Sequence, residues 1–137
     1  LRIKSIFKKL KYDYIIIDSH PDVSYTTSAA LFAADVILTP LNYSRWTVQA
    51  VRMLQEEIEN IYEITGERPK LLAVPSIVTK SKNEKLKESN GFVKMTENSI
   101  SRSESIATAL DKGEMLKEET KSYIEFMDLA KEIIERI

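Results

Sequence analysis

Apolar residues along this chain form short continuous runs that alternate with longer stretches of helical spacing. Ile15, Ile16 and Ile17 make an unbroken β-branched run, which is typical of a parallel strand buried on both faces and predicts a strand from Tyr14 to Asp18. A helix from about Tyr25 to Ala34 and a second strand from Val36 to Pro40 are predicted next. This alternation predicts an α/β fold.

A long amphipathic helix is predicted from about Arg45 to Ile64. Ser44 fits its N-cap and Gly66 lies just past its end. Its apolar face consists of Val48, Val51, Leu54, Ile58 and Ile61. Lys70 to Thr79 predicts a third strand, but Pro75 cannot donate a ladder hydrogen bond, so the pattern predicts an edge-like or irregular strand.

The C-terminal half predicts four further elements. The predicted elements are a solvated loop or one-turn helix over Lys80 to Asn90, a fourth strand over Phe92 to Asn98, a short helix over Ser103 to Leu110, and a longer amphipathic helix over Glu119 to Ile137. The residues expected to face inward on the last helix are Tyr123, Phe126, Met127, Ala130, Ile133 and Ile134. No repeat or linker interrupts residues 1–137, which predicts a single domain.

Composition narrows the class of protein. The 137 residues suit one domain of ordinary size. The chain has no cysteine, which excludes a disulfide framework, and its apolar runs are far shorter than a bilayer span of about 20 residues, so we expect a cytoplasmic protein. Twenty basic and twenty-one acidic residues exclude nucleic-acid binding by bulk charge. Residues 1–11 carry apolar residues at roughly helical spacing together with five basic residues and no acidic one. We expect a solvated helix here, and a basic binding arm is the alternative.

Asp18 is the first candidate for chemistry. It lies at the exit of the isoleucine run, and in open α/β sheets ligands bind outside the carboxyl ends of the strands. A carboxylate there suits Mg²⁺, which is usually held by one or two carboxylates plus phosphate. Receiver domains, phosphatases and Rossmann folds share this feature, so the spacing by itself does not select one family.

A more specific pattern runs through Tyr12 to Pro21 (YDYIIIDSHP) and Ala29 to Pro40 (AALFAADVILTP). These segments resemble the second half of the ParA/MinD-type ATPases, the Walker-type proteins that partition chromosomes and plasmids. Ile100 to Arg102 is similar to that family's Ile-Pro-Arg segment, with serine in place of the proline, and His20 stands where the family usually has a first proline. The resemblance extends from Lys11 to Ile134.

The resemblance implies a parallel sheet of the P-loop NTPase type with flanking helices. Such ATPases hold phosphate with a Lys-Gly-Gly-x-Gly-Lys-Thr loop, whereas the three glycines here, Gly66, Gly91 and Gly113, are isolated. The chain also opens on Leu1 rather than Met. We therefore expect the C-terminal portion of a longer protein, without the phosphate-loop strand; a stand-alone remnant with a non-catalytic role is the alternative.

The resemblance also places that strand between the Asp18 strand and the Val36 to Pro40 strand. We therefore expect either a gap beside Ile15 to Ile17 or a sheet completed by another chain. Such a gap would leave a row of unpaired backbone N–H and C=O groups, which favours association with another chain.

The resemblance assigns roles to individual residues. Asp18 would hold the Mg²⁺ that bridges the phosphates of ATP and would be the catalytic carboxylate; capping the next turn is its structural alternative. The nucleobase would rest near Pro75, Thr79, Ser101, Arg102 and Ser103. Arg102 is the first candidate among them because guanidinium can stack on a base or bond its edge. His20 and Trp46 are expected to be a turn residue and a packed aromatic.

Three functions remain open. The first is a partition ATPase whose nucleotide-dependent homodimer holds non-specific DNA, through basic residues such as Lys112, Lys117 and Lys121, and whose hydrolysis a ParB-like partner stimulates. The second is a MinD-like positioning ATPase with a membrane-binding tail; the balanced charge of AKEIIERI disfavours it. The third is a non-catalytic adaptor or receiver-like module with a phosphorylatable Asp18. The parent protein is expected to be an ATPase and this chain alone to be inactive.

Overall fold

Helices and strands alternate through the residues that the computed structural model describes, which are 2–20, 24–42, 44–79, 81, 91 and 93–137. In chain order these elements are α1 (Arg2–Phe7), α2 (Tyr25–Ala33), β1 (Val36–Leu41), α3 (Arg45–Thr65), β2 (Lys70–Val78), β3 (Ile100–Ser101), α4 (Glu104–Lys112) and α5 (Lys121–Arg136). The predicted helices and the second and third strands are thus confirmed, with ends that shift by a few residues.

The sheet has three parallel strands in the order β1-β2-β3. Helix α3 forms the crossover between β1 and β2, which is the βαβ connection that parallel strands need. The prediction of an α/β fold with a parallel sheet and flanking helices is therefore confirmed.

Strand β2 was predicted to be edge-like or irregular. It lies in the middle of the sheet, so the edge-like alternative is wrong, and the register shift between Ser76 and Val78 confirms the irregular one. Ala73 pairs with Met95 and Ser76 pairs with Ile100, so two residues of β2 face four residues of its neighbour between these pairs. The segment between Met95 and Ile100 therefore loops away from β2 beside Pro75. A proline is tolerated there because no ladder donor is required.

The backbone of β2 changes course at Ile77, which has a φ of 55°. Strand residues alternate between faces. Ala73 and Val78 would therefore face opposite sides, yet both belong to one buried cluster, with Leu41 and Val51. The irregularity between Ser76 and Val78 accounts for this switch. The other face of β2 carries a second cluster of Val74, Ile100 and Leu129, with Ile106 and Ile133 packed against it.

The predicted strand from Tyr14 to Asp18 is wrong for this structure. Residues 14–20 have no regular secondary structure, and the side chain of Ile16 is 94% exposed. A β-branched run suited to burial on both faces needs a hydrogen-bonded neighbour to become a strand. The sheet of the described residues offers none, since it contains only β1, β2 and β3.

The predicted strand from Phe92 to Asn98 is reduced to the single bridge between Ala73 and Met95. Glu132 accepts hydrogen bonds from the backbone N–H groups of Glu97 (2.7 Å) and Asn98 (2.8 Å). These donors are satisfied by a carboxylate instead of a strand ladder. Phe92 and all of the predicted Lys80 to Asn90 loop except Ser81 lie outside the described residues, as does the side chain of Trp46.

The predicted inward face of α5 is also wrong in part. Phe126, Met127, Ala130 and Ile134 are exposed, whereas the helix buries Ser122, Leu129 and Glu132. The buried side of α5 is largely polar because its carboxylates bond the chain before and within β3. Polar contacts therefore orient this helix.

Helix ends follow the predicted capping. Ser44 Oγ accepts the N–H of Thr47 at 3.3 Å, and Gly66, just beyond α3, has a φ of 70°. The contacts divide the chain into two compact units: Leu1–Ile37 with Arg52–Lys70, and Leu38–Val51 with Leu71–Ile137. The single domain over residues 1–137 stays a prediction.

Candidate functional site

The ends of β2 and β3 meet at one edge of the sheet. Val78 pairs with Ser101 in parallel register. Thr79 and Arg102 each follow directly after their strand, and both are exposed. The structure therefore brings together the two segments predicted to contact a nucleobase. Pro75, by contrast, is buried inside β2 and lines no open surface.

Ser101 is held by the carboxylate of Glu125 on α5. Its N–H donates to Glu125 Oε2 at 2.9 Å, and its hydroxyl lies 2.7 Å from Oε1 and 2.9 Å from Oε2. Lys121 Nζ lies 3.2 Å from both Ser101 Oγ and Glu125 Oε1. Serine, glutamate and lysine thus form one network, which we term the Ser101 clamp.

The Ser101 clamp stabilises Glu125 as a carboxylate. Burial by itself raises the pKa of Glu125, but hydrogen bonds from Ser101 and the ammonium of Lys121 outweigh burial and leave the pKa below its ordinary value. Glu125 was not among the site residues predicted from the sequence. The available signal was its position seven residues before Glu132, which places two carboxylates on one side of a helix.

Ser103, which was predicted to lie near the nucleobase, is the N-cap of α4. Its hydroxyl accepts the N–H of Ser105 at 3.2 Å and caps α4. Ser105 Oγ in turn lies 3.1 Å from Ser122 Oγ on α5. The residues on both sides of Arg102 are therefore tied to α5, Ser101 through Glu125 and Ser103 through Ser105 and Ser122.

Ile77 is a further feature that the sequence did not reveal. A positive φ in a β-branched residue costs about 1–3 kcal/mol and persists only where the surroundings impose it. Ile77 lies between Pro75 and Thr79, and its side chain is 65% exposed. Such strained residues cluster at binding sites, which makes this edge of the sheet a candidate binding site.

Asp18 belongs to the first unit. It is exposed in the irregular segment before α2. Two residues on, the carbonyl of His20 accepts the hydroxyl of Thr27 at 3.2 Å, which ties this segment to α2. Among the described residues no three His, Asp or Glu side chains gather as a metal site. A lone carboxylate fits Mg²⁺ only where phosphate oxygens complete the coordination.

The three lysines predicted to contact DNA lie on the second unit and are exposed. Lys112 is in the last turn of α4 and Lys117 is in the turn before α5, where its carbonyl accepts the N–H of Thr120. Lys121 takes part in the Ser101 clamp, so it has a structural partner as well as an exposed ammonium.

The first unit also contains a small cavity of about 190 Å³. Lys4 at its wall is bound to Glu67 at 2.7 Å and lies 3.5 Å from Asp35. The hydrogen bond that Lys4 donates to Glu67 raises the pKa of Lys4. Ligand pockets usually enclose about 300–1,000 Å³. The cavity is therefore too small for a nucleotide, and the charge of Lys4 is compensated by Glu67 and Asp35.

No helix among the described residues is long and apolar enough to cross a membrane. No solved structure matches the chain. An uncharacterized protein of Methanocaldococcus jannaschii, MJECL24, is 33% identical over 89 residues, which are 63% of this chain and 34% of that protein. Protein IncC of Escherichia coli is 31% identical over 67 residues, which are 49% of this chain and 18% of IncC. The chain thus spans about a third or less of these curated relatives.

The AAA domain family matches residues 2–71. This range contains Asp18, α2, β1 and α3. It ends before the residues predicted to contact the nucleobase, which are Pro75, Thr79, Ser101, Arg102 and Ser103. Members of the family bind nucleotide. More than half of the sequence is covered, and the chain therefore belongs to the AAA domain family, of the ParA/MinD type.

Proposed function

We propose that this chain supplies the C-terminal part of a ParA-like ATPase that acts in chromosome or plasmid partition. In the whole protein a phosphate loop upstream would hold the ATP phosphates, Asp18 would hold Mg²⁺, and the edge formed by β2 and β3 would receive the base. ATP would join two copies into a dimer that holds non-specific DNA, and a ParB-like protein would stimulate hydrolysis.

The observation that carries the proposal is the parallel pairing of Val78 with Ser101. It places Thr79 and Arg102 at the carboxyl end of adjacent strands, where open α/β sheets bind ligands. The strained backbone of Ile77 beside them supports the same edge. Arg102 is suited to the base because its planar guanidinium can stack on a ring or donate to its rim.

Asp18 supports the catalytic part of the proposal through its sequence context and the family match, which covers it. Mg²⁺ would supply positive charge to the phosphates during transfer. The task of Asp18 would be to hold that ion, directly or through water. An exposed carboxylate can do this without a large change in the fold around it.

A MinD-like membrane function is the second candidate, and the exposed apolar residues of α5 favour it. Helices that lie on membranes combine such residues with Lys or Arg along their polar face. The exposed polar positions of α5 include Asp128 and Glu135 beside Lys131. This mixture would gain little attraction from an anionic lipid surface, so partition is the function that we favour.

The test is phosphate release by three proteins: the chain itself, the chain joined to a phosphate-loop segment upstream, and the Asp18→Asn variant of the joined protein. We expect no hydrolysis and no micromolar Mg-ATP affinity for the chain alone, and both in the joined protein. Asp18→Asn should lower turnover while the circular dichroism spectrum is unchanged. The matched control is Asp13→Asn, another exposed carboxylate of the same segment.

Two results would overturn the assignment of Asp18. One is hydrolysis of ATP by the chain without the upstream segment. The other is full turnover in the Asp18→Asn variant of a joined protein that hydrolyses ATP. Equal losses in the Asp13 and Asp18 variants would assign the effect to the segment as a whole and would also contradict the role of Asp18.

A further inference from the structure

We propose that Glu125 is a positioning residue that fixes the Ser101 to Ser103 segment and thereby sets the base discrimination of the nucleotide site. The inference rests on the proposed function for the identity of the ligand. It goes beyond it by giving a role to α5, which lies outside the range matched by the family.

The first step is that Glu125 holds the backbone as well as a side chain. The N–H of Ser101 donates to Glu125 Oε2 at 2.9 Å, and the adjoining Arg102 has its Cα only about 3.8 Å from that of Ser101. Because the N–H of Ser101 is fixed, the position of the Arg102 Cα, from which its side chain extends, is restricted. The two contacts from the Ser101 hydroxyl, at 2.7 and 2.9 Å, occupy both carboxylate oxygens.

The second step is that α5 holds the segment at two points. Ser105, hydrogen-bonded to Ser103 at 2.7 Å, lies 3.1 Å from Ser122 of α5. Arg102 lies between these two attachments and is itself exposed. A long side chain on a backbone held at both sides loses less freedom when it meets a base, which improves both affinity and selectivity.

The third step concerns charge. The Glu125 side chain is 18% exposed, and Lys121, which is 79% exposed, lies 3.2 Å from it. The pair leaves little net charge beside the segment, so Glu125 can hold Ser101 without repelling an anionic nucleotide. Ser101 stands where the resembling family has proline, which has no N–H to donate. The clamp is therefore a property of this chain's own sequence.

Glu132 provides a matched control on the same helix. Its carboxylate also accepts backbone N–H groups, at 2.7 Å from Glu97 and 2.8 Å from Asn98, but these residues precede β3. Replacing either glutamate removes one set of hydrogen bonds between α5 and the segment before and within β3. Only Glu125 is adjacent to the segment that contains Arg102.

The experiment measures dissociation constants of Mg-ATP, Mg-GTP and tripolyphosphate for the joined protein and its variants. Glu125→Gln should weaken ATP about tenfold or more, leave tripolyphosphate within about twofold, and reduce the preference for ATP over GTP. Ser101→Ala, which keeps the backbone N–H, should show a smaller change in the same direction. Glu132→Gln should leave the preference unchanged.

The outcomes separate the two proposals. A wild-type joined protein that does not bind ATP would overturn the proposed function. Wild-type binding with an unchanged ATP preference in folded Glu125→Gln and Ser101→Ala variants would overturn the positioning role alone. Equal weakening of ATP and tripolyphosphate would show that Glu125 supports the fold only, and would likewise contradict the inference.

Discussion

Glu132 should contribute more to stability than its surface-helix position in the sequence suggests. Its carboxylate accepts three hydrogen bonds, from the N–H of Glu97 (2.7 Å), the N–H of Asn98 (2.8 Å) and the side-chain amide of Asn98 (2.9 Å). It also pairs with Arg136 at 2.6 Å, and the residue is only 8% exposed. The test is Glu132→Gln, which keeps the size and removes the charge.

The size of the effect follows from the number of acceptors removed. A donor left without a partner costs about 1–3 kcal/mol when buried. Glutamine retains one carbonyl oxygen, and Glu97 is exposed, so water replaces part of the missing bonding. We expect a loss of about 1.5–3 kcal/mol, which is a large fraction of the usual stability of about 5–15 kcal/mol. Glu135→Gln, an exposed position on the same helix, should change stability by less than about 0.5 kcal/mol.

The pH dependence of this loss has a definite sign. Burial by itself raises the pKa of Glu132. The hydrogen bonds from Asn98 and Glu97 and the charge of Arg136 lower the pKa by more than burial raises it, so the folded-state pKa lies below the ordinary value of 4.5. A carboxyl with a lowered folded-state pKa stabilises the fold fully above its unfolded pKa, and this contribution is lost as pH falls through the folded pKa.

Urea unfolding followed by circular dichroism at about pH 7 and about pH 3 measures the difference between wild type and variant. The difference should be largest near neutral pH and should shrink in acid. A Glu132→Gln variant as stable as Glu135→Gln, or a difference independent of pH, would refute the reasoning.

Two further predictions concern other surfaces. Alanine at Lys112, Lys117 and Lys121 of the nucleotide-bound joined protein should weaken DNA binding irrespective of sequence and reduce the salt slope by about one unit for each lysine that bonds a phosphate, and Lys131→Ala serves as the exposed control; an unchanged slope would assign the three lysines to solvation. Ile77→Gly should leave the free energy of unfolding within about 1 kcal/mol of wild type or raise it, because relief of the positive φ offsets the entropy cost of glycine; urea unfolding that shows a loss of about 2 kcal/mol would contradict the strain.

Local signals in the sequence were sufficient for the helices and for two of the strands. Ser44 and Gly66 bound α3 because capping and positive φ depend on a few adjacent residues. Val36 to Pro40 became β1 since its neighbour β2 is present in the same chain. The candidate edge, by contrast, was expected only from the family resemblance, because β3 (Ile100–Ser101) was not predicted as a strand.

The features that the sequence did not predict depend on distant partners. The Ile15 to Ile17 run has a strand-like composition, but a strand exists only through hydrogen bonds to a neighbour, and the sheet of the described residues provides none for it. Pro75 suggested an edge strand because its missing N–H can be inferred from the sequence. The loop between Met95 and Ile100, which makes the proline tolerable in the middle of the sheet, cannot be inferred in this way. The Ser101 clamp joins residues that are 24 positions apart, beyond the reach of any local pattern.

The orientation of α5 shows how polar contacts can decide against an apolar periodicity. Turning Phe126, Met127 and Ile134 inward would bury side chains that are now 44%, 42% and 50% exposed. Full burial of such a side chain yields about 1.5–3 kcal/mol, so the remaining half yields about 1 kcal/mol each. That gain would require Glu125 and Glu132 to leave their backbone donors, and hydrogen bonds to charged groups contribute about 1.5–3 kcal/mol each. The five donor contacts that the two carboxylates receive from the chain before and within β3 therefore outweigh the apolar gain, and they fix the helix with its carboxylates inward.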